Sequence, residues 1–172
     1  MRGFLVLMLL AGWIAPAMAW SADTLGLKGL YIGQPLSTVD ESVYDCTVAE
    51  SVGVARCVSK EMLSFGSHGV ARLNASFLHG KCVAIFVPDM KSEFFDDLLG
   101  YLTAKFGKPT SHDVSDVSTA SGATYQNHEV IWDRGTVRGV FRKYAGTIYQ
   151  SDVSVFDVEA YGDIYWRNHG AL

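Results

Sequence analysis

Histidines and cysteines carry the strongest intrinsic chemistry in this 172-residue chain, and neither set has an obvious catalytic spacing. His68, His79, His112, His128 and His169 include no i, i+4 pair of the kind that holds a metal on a helix, and none opens a metalloprotease pattern. His112–Asp113 and His128–Glu129 are neighbours in sequence. Adjacent residues on a strand point to opposite faces, so adjacency alone makes no site of them. The run Asp113-Val114-Ser115-Asp116 lacks the ligand count and the glycine of a calcium loop. No serine stands in a G-x-S-x-G elbow, and no glycine pattern suits a nucleotide. Asp96 and Asp97 read as the wet face of a helix. Arg134, Arg138, Arg142 and Lys143 read as a basic sheet face balancing acidic neighbours. The residue set therefore predicts no metal, no cofactor and no enzymatic activity.

The cysteines gain meaning from the start of the chain. Met1–Arg2 is a short positive opening, Phe4 to Ile14 is apolar apart from glycine, and Ala17-Met18-Ala19 follows Pro16. This is the three-part pattern of a secretory signal peptide, with cleavage expected after Ala19. The apolar run falls short of the roughly 20 residues that span a bilayer, and no cysteine near the cut suggests a lipid anchor. The expected organisation is residues 1–19 as signal and 20–172 as one domain, exported to the periplasm without a membrane anchor. In an oxidising compartment a pair among Cys46, Cys57 and Cys82 should form a disulfide. Cys46–Cys57 closes the shortest loop and is the favoured pair. Cys82, in the β-rich run Lys81–Val87, then reads as a buried thiol.

Hydrophobic residues make up 49% of the chain and charged residues 19%, enough apolar material for a core. The formal charge of −4, which becomes −5 on loss of Arg2, argues against a nucleic-acid surface.

The elements that must position any site follow from periodicity. Leu27 to Gly33 reads as a short extended segment. Pro35 and Ser37 start a helical turn reaching about Val43. Tyr44 to Val58 looks like a hairpin or a turn joining two short extended pieces, with Cys46 to Glu61 otherwise reading as loop or weak strand. Val70 to Leu78 alternates, with Leu73, Ala75 and Phe77 inward, and His79-Gly80 turns it into the strand Lys81–Val87, which Pro88 should end. Ser92 is the expected N-cap of a helix running to about Phe106, with Phe94, Phe95, Leu98, Leu99, Leu102 and Phe106 on its buried face. Gly107 and Pro109 stop it. Tyr125–Trp132, Thr136–Tyr144 and Thr147–Val158 read as a three-stranded meander turning at Gly135 and Gly146. A shift in the apolar set of the last strand suggests a β-bulge near Phe156. The expected fold is α+β, a mostly antiparallel sheet with two helices packed on one face.

Between helix and meander lies Thr110–Ala123 (TSHDVSDVSTASGA), rich in Ser, Thr and Asp. It has almost nothing to bury and reads as an exposed loop, longer than the usual connection of roughly 4–6 residues. In a chain with no catalytic set, such a loop is the natural place for partner binding.

A family resemblance gives that expectation a target. With its cleavable signal, a mature domain near 150 residues, the opening LKGLYIGQP and a sheet-rich fold presenting loops, the chain resembles the small periplasmic immunity proteins that protect bacteria from type VI-secreted peptidoglycan amidases. It is similar to the partner of the NlpC/P60-like amidase effector. The resemblance implies that a loop plugs the effector's Cys–His active site. The polar loop itself supplies the expected partner-binding set of Ser111, His112, Asp113, Ser115, Asp116, Ser118 and Ser121. Ser111, beside His112, is the candidate hydroxyl for the effector's catalytic histidine, with Ser118 and Ser121 as rivals. Other classes remain open: an envelope adaptor or assembly protein with no inhibitory role, and an enzyme of unfamiliar type.

Overall fold

A computed structural model describes residues 25–49, 53–67 and 69–161. The expected signal peptide and its cleavage after Ala19 lie outside the described residues. The fold is α+β and mostly antiparallel. Two short strands, β1 (Gly26–Leu27) and β2 (Leu30–Tyr31), open it. Next come β3 (Tyr44–Ala49) and β4 (Val54–Ser59), then β5 (Leu63–Phe65) paired with β6 (Gly69–Ala71). They are followed by β7 (Asn74–Leu78), β8 (Lys81–Lys91) and helix α1 (Phe95–Phe106). Last are β9 (Ser111–Ser118), β10 (Thr124–Arg134), β11 (Val137–Arg142) and β12 (Gln150–Asp157). The main sheet has eight strands in the order β3-β4-β7-β8-β12-β11-β10-β9.

Local chemistry accounts for most of these boundaries. His79 and Gly80 both have positive φ, 49° and 77°, as a two-residue hairpin turn with the right twist requires. Gly107 ends α1 at φ 79°. Helix α1 buries Phe95, Leu98, Leu102 and Phe106 and leaves Asp96 and Asp97 in water. Phe95 stacks on Phe141 (4.6 Å between centroids) and Phe106 meets Trp132 edge-on (5.5 Å). The indole N–H of Trp132 donates to the Gly107 carbonyl (2.8 Å), and Arg134 donates to the Phe106 carbonyl (3.0 Å). The strand under the helix thus satisfies two of its otherwise orphaned C-terminal acceptors.

Four local expectations need correction. The turn after Pro35 is a single 3-10 turn, Leu36–Thr38, rather than a helix to Val43. Val39 is extended, and the Asp40 carboxylate accepts the Ser42 N–H (2.9 Å), a local bond that competes with helix continuation. Ser92 does not cap α1: its hydroxyl donates to the Ile148 carbonyl (2.7 Å), and a 3-10 turn, Ser92–Phe94, precedes the helix. Pro88 does not end its strand. It lies beyond the pairing with β7, and Pro88 and Asp89 together oppose the single residue Asp152 of β12, so no ladder bond is asked of its missing N–H. That bulge, rather than one near Phe156, is the irregularity of the β8–β12 pair. Phe156 sits with Ser154 on the sheet face opposite α1, and the alternation of Val153 and Val155 into the core is unbroken.

Cys46 and Cys57 are directly opposed across β3 and β4 and form the disulfide, while Cys82 is a buried free thiol whose pKa burial pushes up to about 12. The bond spans 11 residues, and loop-closure entropy of that size is worth just under ~3 kcal/mol. Cys46→Ala/Cys57→Ala should lower the unfolding free energy from urea titration by that amount, and a non-reduced digest should show the Cys46–Cys57 peptide pair. A digest linking either residue to Cys82 contradicts the pairing.

Candidate functional site

The segment expected to be a loop is a strand. Ser111–Ser118 pairs along its whole length with β10, from Ser111 opposite Ile131 to Ser118 opposite Thr124, and only Thr119–Ala123 forms the turn. Thr119 closes that turn with its main-chain N–H on the Ala123 carbonyl (2.9 Å) and its side chain bonded to Ser121 (2.9 Å). The reason the strand was not legible lies in its exposure. From His112 to Gln126 almost every residue on either face is exposed, so no alternation of apolar and polar residues marks the strand. The β9–β10 hairpin is an arm that extends past the core, with one edge held by β11 only near its base.

The arm has two faces. His112, Val114, Asp116 and Ser118 share the face that leads down to α1, and Ser111, Asp113, Ser115 and Val117 share the other. The seven candidate residues are therefore not one cluster. Ser111 is half-buried at the root of the arm, opposite the half-buried Ile131, while Ser118 and Ser121 are at the tip.

Residues outside the expected loop, which sequence adjacency alone did not assemble, complete the site. His128, on β10, lies diagonal to His112, and their ring nitrogens share a hydrogen bond (2.9 Å). His128 also packs on Phe95 of α1 (5.4 Å). Its pKa is held below the ordinary histidine value, first by burial, then by the positive charge of Lys143 and by His112, with Asp96 opposing. On the other face Asp113 stands directly opposite Glu129, a like-charge pair that costs stability unless a cation meets it. Main-chain N–H groups of Lys143 and Tyr144 bond back to the His128 carbonyl and the Asn127 side chain (both 2.9 Å), anchoring the arm where it leaves the core. Between the tip and the Ala145–Gln150 connection runs an open cleft of about 510 Å³, walled by Val117–Ala120 and by Gly146–Tyr149 with Tyr144 at its base. Tyr149 is 75% exposed there.

The basic patch is internally satisfied. Arg138 is paired with Asp133 (2.6 Å) and Arg142 with Asp152 through two bonds (2.9 and 2.6 Å). Among the described residues no three His, Cys, Asp or Glu side chains gather as a metal site, and no helix is long and apolar enough to cross a membrane. No protein-family model matches the chain, and neither a curated protein nor a solved structure is detectably similar to it.

Proposed function

We propose that the chain is an exported binding protein that neutralises a secreted peptidoglycan amidase by inserting the β9–β10 arm into its Cys–His cleft. The observation that carries this reading is the arm itself, a regular hairpin exposed on both faces and braced at its root by α1 and β11. A hairpin whose backbone is already ordered enters a cleft at lower entropic cost than a loop would. The disulfide fits an oxidising compartment such as the periplasm. The resemblance noted above supplies the target class. A hydroxyl at the tip, from Ser118 or Ser121, is then better placed than Ser111 to meet the enzyme's imidazole, which must otherwise activate the thiol. The acidic Asp113–Glu129 pair and the negative net charge suit a basic cell-wall enzyme.

The test is to join Ser115 to Asn127 through an Asn-Gly turn, which removes the tip but keeps the paired root. The shortened protein should melt with the parent, because the tip buries almost nothing. Its inhibition of a purified NlpC/P60-like peptidoglycan amidase that the parent inhibits should fall at least ~30-fold, the loss of one interface hot spot. A folded, shortened protein that inhibits as well as the parent rejects the arm as the recognition element.

A further inference from the structure

The outer edge of β9 is an open row of backbone donors and acceptors. Among the described residues β9 pairs with β10 alone. The Thr119 N–H bonds to the Ala123 carbonyl, and alternation along the strand then turns the amides of residues 111, 113, 115 and 117 toward β10. The N–H and C=O groups of His112, Val114, Asp116 and Ser118 face outward. Exposed edges are usually blunted by lysine, proline or a bulge. Ser111–Ser118 contains no Lys, Arg or Pro, and its pairing with β10 is unbroken. At the opposite edge of the sheet Lys60 reaches across only the start of β3, bonded to the Glu41 carbonyl (2.7 Å) and near Asp45 (3.6 Å).

The side chains say what fits this edge. When a strand pairs antiparallel with its own copy about a two-fold axis, outward-facing residues meet outward-facing residues, and each side chain meets one on its own face. Centring the axis on Val114 places His112 opposite Asp116 of the second copy, twice over. It sets Asp113 opposite Ser115 and brings two valines together, each otherwise 52% exposed. Centring on Asp113 or on Asp116 stacks identical carboxylates. Centring on Ser115 sets both aspartates opposite valines. The charges select one register from its neighbours.

We propose that two copies of this chain pair through β9, antiparallel and centred on Val114, into one continuous sheet. This goes beyond the partner-binding reading and does not depend on it. The two arm tips then point in opposite directions, so each copy keeps its tip free.

Sedimentation of the purified chain (residues 20–172) from low micromolar to several hundred micromolar should show a monomer–dimer equilibrium. Val114→Pro removes only an outward-facing N–H at an edge position where proline is tolerated, so it should weaken the dimer at least ~30-fold with an unchanged melting curve. His112→Asp sets carboxylate against carboxylate and should weaken it about 10-fold. Adding Asp116→Lys to His112→Asp should restore it, because the new carboxylate at position 112 then meets the new ammonium at position 116 of the second copy. A parent chain that stays monomeric throughout, including one whose β9 accepts a strand only from a different protein, overturns the proposal. So does a Val114→Pro protein that dimerises like the parent. Failure of the double variant to recover rejects the Val114-centred register.

Discussion

Leu98→Asp should unfold the domain. Leu98 is 1% exposed in the middle of the buried face of α1. Its Cδ2 comes so close to the backbone of Gly69 that a Cβ added there would lie 2.5 Å away. The substitution removes a buried leucine from the core cluster, a loss of about 2–5 kcal/mol, and places a carboxylate among its apolar neighbours. A domain with roughly 5–15 kcal/mol of total stability is left marginal or unfolded. Gly100→Ala, on the exposed face of the same helix with open space around it, should be neutral or stabilise by up to ~1 kcal/mol. Urea titrations of the two variants separate burial from helix propensity. Equal midpoints would mean that the helix does not pack by this face.

Arg142→Met should cost about 2–3 kcal/mol, and Arg142→Met/Asp152→Leu should recover most of it. The Asp152 side chain is only 5% exposed and rests under the Arg142 guanidinium, which makes two hydrogen bonds to it. Removing the cation leaves a buried carboxylate unpaired, a loss of roughly 3–5 kcal/mol for a fully enclosed pair. Arg142 is 43% exposed, so water reaches the pair and lowers that figure. The double replacement removes both charges at once, and an apolar pair of similar size in such a position is often neutral. Denaturant midpoints decide it: a double variant no more stable than Arg142→Met shows that the packing of the arginine, not the orphaned charge, sets the loss.

Several elements were legible because their causes are local. The spacing of Phe95, Leu98, Leu102 and Phe106 already defines one helical face, and that face is buried. His79-Gly80 and Gly135 mark turns by the φ values they tolerate, and the structure uses positive φ at each. Leu73, Ala75 and Phe77 alternate inward as read. Cys46 and Cys57 are close enough in sequence to share a hairpin, and they oppose each other across it.

The candidate site was legible as a place, not as a structure. Thr110–Ala123 stood out by composition, yet its residues form a strand because β10 supplies the hydrogen-bond partners that its own side chains do not announce. Hydrophobic periodicity reports only strands with one wet and one dry face, and β9 is wet on both. The His112–His128 contact joins residues sixteen apart that meet only through the hairpin's register. Ser92 and Pro88 carried their ordinary local meanings, helix cap and strand end, and tertiary partners overrode both: the Ile148 carbonyl took the hydroxyl, and the bulge opposite Asp152 relieved the proline of its missing donor.

From the sequence alone came the α+β class, the core helix, the disulfide pair and the segment worth attention, since each follows from spacing along the chain. Only the tertiary structure decided that this segment is a paired arm, which residues share its faces, and that Asp152 is buried under Arg142. Those facts depend on strand order and register, set by contacts between residues far apart in sequence whose free energy no local pattern encodes.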